Sequence, residues 1–190
     1  QVWASGGTVT AVSDGSLGRG RRSGEHFLPV ERDRLSCGWV LGHDPEGATG
    51  ANRAQLLEIG RGGYRIAAEG CVSSSYLTEL AGALDVLCTL MAALGEGDRP
   101  GAVQHWCDNE GVVTLICARR DVVPRKWRKT PCRHLWAELC RRLNWWEAHG
   151  GSWETRWVKG HVDADPNKRL PASYTAAERF NIRADKVAEV

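Results

Sequence analysis

Four carboxylates, each in its own short motif and spread along 190 residues, constrain this chain more than any other feature. They are Asp14 in Val12-Ser13-Asp14-Gly15-Ser16, Glu79 in Tyr76-Leu77-Thr78-Glu79-Leu80, Asp108 in Trp106-Cys107-Asp108-Asn109, and Asp185 in Arg183-Ala184-Asp185-Lys186. A fifth motif, Trp157-Val158-Lys159-Gly160-His161, separates the last two. Carboxylates drawn together from distant parts of a chain repel one another in a low-dielectric site, and a cation relieves that repulsion. Hard divalent ions such as Mg²⁺ favour carboxylate oxygens and keep some of their own waters. The expectation is a fold that gathers these acids and does metal-dependent phosphodiester chemistry.

The pattern between the motifs sets the element order. Thr8 to Ser13 alternates with β-branched residues and predicts a strand. Gly15 to Gly24 reads as loop, Leu35 to Leu41 as a second strand, and Tyr64 to Ala68 as part of a third, with Leu56 to Ile59 a separate strand piece. Ser73 to Leu94 is the clearest helix: Ser74 or Ser75 caps it, and Leu77, Leu80, Ala81, Leu84, Leu87, Cys88 and Met91 recur at 3/4 spacing. Val103 to Cys107 is a short strand, Gly111 to Ala118 a helix, and Pro131 to Trp146 a helix with proline near its start. Trp153 to Val158 is a strand and Tyr174 to Val190 a closing helix. This order predicts a mixed α/β sheet covered by helices, as one domain over residues 1–190.

Net charge is only +2, but it is uneven. Arg119 to Arg142 holds nine basic residues against Asp121 and Glu138, and Arg19-Gly20-Arg21-Arg22 follows the first acid. Basic patches beside an acid cluster suit a polyanion drawn to a metal, although a charge run alone is more often a solvated loop. Seven cysteines occur without a Cys-x-x-Cys pair or a matched zinc spacing, which favours an intracellular, reducing compartment. No secretory segment and no apolar stretch of bilayer length is expected. The helical pattern still running at Val190 suggests a piece of a larger polypeptide.

Asp-Gly-Ser at a strand end, a glutamate in the first long helix, an aspartate closing the fourth strand, a Lys-Gly-His loop and a last aspartate in the final helix follow one another from Thr8 to the C-terminus. In this order they resemble the type 1 ribonuclease H family, and the long loop after His161 is similar to ribonuclease H domains of retroelement reverse transcriptases. The resemblance implies a ribonuclease H-like fold, a mixed five-stranded sheet flanked by helices. It implies two Mg²⁺ ions, with Mn²⁺ also acceptable, held by Asp14, Glu79, Asp108 and Asp185, and His161 as a proton shuttle or aid to product release. Asp163 is the second choice for the fourth acid, with Asp165 and Glu178 as further competitors.

The same resemblance implies that the partner is an RNA–DNA hybrid whose RNA strand is hydrolysed. Ser74 and Ser75 match a polar pair that holds a DNA phosphate, and Asn109 and Glu110 match positions that touch the RNA strand. Arg125, Lys126, Trp127, Arg128 and Lys129 match a basic protrusion riding on the DNA strand. Trp136, Trp145, Trp146 and Trp157 read as core.

Taken singly, each acid also has a structural reading: Asp14 as a turn residue, Glu79 as a surface helix residue, Asp108 as a helix cap. Two further functions stay open, a non-catalytic interaction module of the same fold in a ribonucleoprotein and a resolvase- or integrase-like nuclease acting on DNA.

Overall fold

The computed structural model describes residues 7–18, 34–43, 56–66, 74–119, 132–164 and 173–189. Strands β1 (Thr8–Gly18), β2 (Arg34–His43) and β3 (Leu57–Ile66) precede helix α1 (Ser75–Ala92). Strand β4 (Ala102–Cys107), helices α2 (Glu110–Cys117) and α3 (Arg133–Ala148), strand β5 (Ser152–Trp157) and helix α4 (Ala176–Ala188) follow. The sheet order is β3-β2-β1-β4-β5. The first three strands form an antiparallel meander, whereas β4 and β5 join in parallel after helical crossovers. The expected five-stranded mixed sheet flanked by helices is thus what the chain forms.

Helix α1 forms where its sequence predicts. Ser74, in extended conformation, accepts a hydrogen bond from the Leu77 amide at 3.2 Å and ends the run of orphan donors. Leu77, Leu80, Ala83, Val86, Leu87 and Leu90 are buried on its sheet side. Trp136, Leu139, Leu143 and Trp146 of α3 complete this core with Val9 and Ala11 of β1. Each such leucine contributes about 1.5–3 kcal/mol of transfer free energy. The length and hydropathy of α1 would also suit a membrane span, contrary to the sequence expectation, but over half of it is buried within the domain.

Helix α4 covers the other face. Phe180 and Ala184 pack on Val12 and Val40. A side chain at Gly38 would collide with the Ala184 carbonyl and, at 2.6 Å, the Ala188 amide nitrogen, so glycine lets the helix lie directly on β2. Its start is fixed by a capping box: Thr175 accepts from the Glu178 amide and Glu178 accepts from the Thr175 amide. Glu178, a competitor for the fourth acid, is thereby engaged as a cap.

Several expectations need correction. β1 continues four residues past Asp14, so Gly15–Gly18 are strand, held by pairing with β2. The two expected fragments of the third strand are one, because pairing with β2 and the indole of Trp39 over Gly62 offset the weak strand preference of its glycines. Trp136 and Trp146 are core, but Trp145 and Trp157 are not: they are 37 % and 52 % exposed. Part of the basic stretch is spent on intramolecular pairs, Arg119 with Glu147 and both Arg141 and Arg142 with Glu138.

Candidate metal centre

The acids meet where the central strand pair ends. Parallel pairing of β1 with β4 stops at Ser13 and Cys107, so Asp14 and Asp108 are the first residues beyond it on their strands. From there β1 pairs only with β2, which opens a notch beside it. Gly15 permits the close approach of α1: a side chain there would meet the hydroxyl of Thr78 and the backbone nitrogen of Glu79. Glu79 therefore enters the notch from the α1 face and Asp185 from the α4 face. Gly160, whose added Cβ would strike the Asp108 carboxylate, closes one side.

Burial makes the cluster electrostatically tense. Asp14 is 2 % exposed and Glu79 is 3 % exposed. Burial, then the charges of Asp108 and Asp185, push Asp14 up to about 8, against a hydrogen bond with Glu79 that pulls it down. Burial, then the charges of Asp14 and Asp108, hold Glu79 well above the usual carboxylate range. Asp185 is raised chiefly by burial, with His161 acting in the opposite sense. Carboxylates arranged so that they resist ionisation together are a set that a divalent cation stabilises.

The hydrogen bonds around the cluster leave room for a ligand. Asp14 Oδ1 accepts from the Gly15 amide at 2.7 Å, and Asn181 Nδ2 donates to Asp14 Oδ2 at 3.4 Å. The Oδ1 of the same asparagine is buried without a hydrogen-bond partner among the described residues. Cys107 Sγ donates to Glu79 Oε2 at 3.5 Å, and one ligand atom each from Glu79, Cys107 and Asp108 lie within 4.8 Å of one another. An all-oxygen set of carboxylates, beside an amide oxygen that has no hydrogen-bond partner among the described residues, fits a hydrated hard cation. Asn181 and Cys107 are additions that the sequence reading missed.

The remaining expected residues are placed as follows. His161 adopts a left-handed backbone (φ 49°) and sets Nδ1 3.7 Å from Asp185 Oδ2, with its side chain 68 % exposed. Asp163 is exposed and adds its charge to Asp185, whereas Asp185 acts directly on Asp14. Asp108 is not the cap of α2: Asn109 is, accepting from the Val112 amide at 3.2 Å. Ser74 caps α1, and Ser75 lies exposed in its first turn, four residues before Glu79. Trp157 reaches across to Asp108, its indole N–H donating to the backbone carbonyl at 3.0 Å. Arg125, Lys126, Trp127, Arg128, Lys129 and Asp165 lie outside the described residues.

Solved structures share this architecture. LC9-RNase H1, described as a type 1 RNase H with the type 2 active-site motif, aligns with 96 % of this chain and 72 % of its own at 16 % identity and a TM-score of 0.61. Prototype foamy virus protease–reverse transcriptase aligns with 96 % of the chain at 14 % identity and a TM-score of 0.58. The chain spans only 20 % of that viral polypeptide. LC11-RNase H1, solved in complex with an RNA/DNA hybrid, aligns with 95 % of the chain and 94 % of its own at 12 % identity and a TM-score of 0.54. No protein-family model and no curated protein sequence matches the chain. The fold is that of ribonuclease H.

Proposed function

We propose that this chain is a metal-dependent endonuclease that hydrolyses the RNA strand of RNA–DNA hybrids, as the ribonuclease H domain of a reverse transcriptase-like polypeptide. The observation that carries the reading is the meeting of Asp14, Glu79, Asp108 and Asp185 in one notch, from both faces of a ribonuclease H-type sheet. Asp14, rigidly placed on a central strand, would hold the metal together with Glu79, Asp108 and Asp185. Mg²⁺ ions, when bound, would supply an activated water and charge stabilisation at the leaving oxygen.

The chain's own residues do the rest. His161, exposed on the rim beside Asp185, takes up and releases protons between the notch and solvent. Ser74 and Ser75 present the N-terminus of α1 to a DNA phosphate, where the hydroxyls and the helix dipole both favour an anion. The segment Arg125 to Lys129 contributes further phosphate contacts, and Asn109, rigidified as a helix cap beside Asp108, faces the RNA strand.

The test is cleavage of an end-labelled RNA–DNA hybrid in Mg²⁺, beside single-stranded RNA, duplex RNA and duplex DNA, for the wild type and Asp108→Asn. The expected result is cutting of the hybrid's RNA strand alone, reduced in the variant by about a thousandfold or more, since the ligand set supports several kcal/mol of transition-state stabilisation. Cleavage of duplex DNA would replace this reading with a resolvase-like one. Hybrid binding without cleavage would leave the interaction module standing.

A further inference from the structure

We propose that Glu79, Cys107 and Asp108 form a binding site for a thiophilic divalent cation of the zinc class, which seats beside the hard-ion site and competes with it. The inference rests on the reading of the notch as a metal centre and concerns which other ions it admits.

Cys107 sets this site apart from a purely carboxylate one. It ends β4 on the core side, and its sulfur lies beneath the carboxylate of Glu79. A tetrahedral ion with Zn–S near 2.3 Å and Zn–O near 2.0–2.2 Å holds those two ligand atoms about 3.5–3.7 Å apart. The Sγ–Oε2 distance is 3.5 Å, so the pair already has the spacing that such an ion requires. Asp108 supplies a third ligand atom within 4.8 Å of both. The Asn109 amide donates to Sγ at 3.4 Å, which fixes the position of the sulfur beside Asp108.

A second observation points to a ligand in the same notch. Asn181, 2 % exposed, donates to Asp14, which is itself hydrogen-bonded to Glu79, yet its Oδ1 has no partner among the described residues. A water carried by a four-coordinate ion on the three protein ligands would provide a donor for it.

Thiolate selects zinc-class ions over Mg²⁺, and carboxylates accept both. On ligation the S–H bond breaks, the proton passes to solvent and the sulfur–metal bond forms, with no change of oxidation state. An ion seated in this way takes Glu79 and Asp108 from the hard-ion set, so trace zinc inhibits Mg²⁺-dependent work in the notch.

The experiment titrates the reduced protein with Co²⁺ and follows thiolate-to-cobalt charge-transfer absorption in the near ultraviolet, then displaces it with Zn²⁺. The expected result is a band that saturates at one equivalent and is lost in Cys107→Ser and in Cys107→Thr. Circular dichroism establishes that both variants fold. Glu79→Gln keeps the thiol and is expected to weaken binding by about tenfold to a hundredfold or more, since even an outer-sphere partner is worth that much. Cys117→Ser, an exposed thiol outside the notch, retains the band. No band in the wild type, or a band unchanged in folded Cys107 variants, overturns the proposal. Hybrid cleavage in Mg²⁺ is scored separately. A band without cleavage sinks the nuclease reading alone, and cleavage without a band sinks this one alone.

Discussion

The sheet face under α1 and α3 buries Trp136, Trp146, Leu80, Leu87, Leu139 and Leu143, whereas among the described residues the face under α4 has a smaller cluster of Val12, Val40, Phe180 and Ala184, with Leu56 and Trp106 partly buried against it. The first face carries most of the apolar area and hence most of the stability. The second trades side-chain volume for proximity, with Gly38 and Gly42 letting α4 rest close against the sheet. Asp185 and Asn181 thus ride on the less heavily anchored helix, and Glu79 on the more heavily anchored one. The centre joins elements held to the sheet in different ways, one by side-chain volume and the other by backbone proximity.

Truncation on the heavy face should have the largest effect. Trp136→Ala is expected to lower the unfolding free energy in urea by about 3–5 kcal/mol. Should Phe180→Ala cost as much, the contrast between the faces fails.

The join itself is expected to respond to pH. In chelator, folded Asp14 keeps a proton up to about pH 8, whereas the unfolded carboxylate gives it up near its ordinary 3.8. Stability contributed in this way is full below pH 4 and is lost as pH rises through 8. The slope reaches up to about 1.4 kcal/mol per pH unit for each proton so held. Melting temperatures recorded from pH 5 to 8 should fall without divalent ions, and Asp14→Asn should flatten the decline.

Pressing on the light face comes next. Gly38→Ala forces α4 off β2 and is expected to cost about 1–3 kcal/mol. Because the displacement moves Asp185 rather than Glu79, hybrid cleavage should drop more than stability predicts; an unchanged rate at reduced stability would show that α4 need not sit tightly. The smallest effect is expected for Thr175→Ala, which removes half of the capping box and should cost about 1 kcal/mol in thermal or urea unfolding.

What the sequence revealed of this arrangement follows from how local each signal is. α1 was legible because its cap and its apolar repeat lie within one stretch, and the four acids because each closes or occupies its own element. Strand β3 was read as two pieces because Gly60, Gly62 and Gly63 weaken its local preference, and only pairing with β2 restores it. Trp157 reads as core because large aromatic side chains usually pack inside; it instead ends the strand beside the notch and is exposed. Cys107 and Asn181 were passed over because their meaning depends on partners 28 and 167 residues away. No periodicity reports such contacts.

That last separation bears on how the molecule is made. A polypeptide emerging from the ribosome N-terminus first presents β1 and its Asp14 long before Asn181 and Asp185 exist. The meander, α1 and the parallel strands can assemble meanwhile, leaving three acids in a half-walled notch. Only the arrival of α4 closes it. A chain terminated before α4 therefore holds a sheet but no finished cage, and the centre waits on the synthesis of that helix.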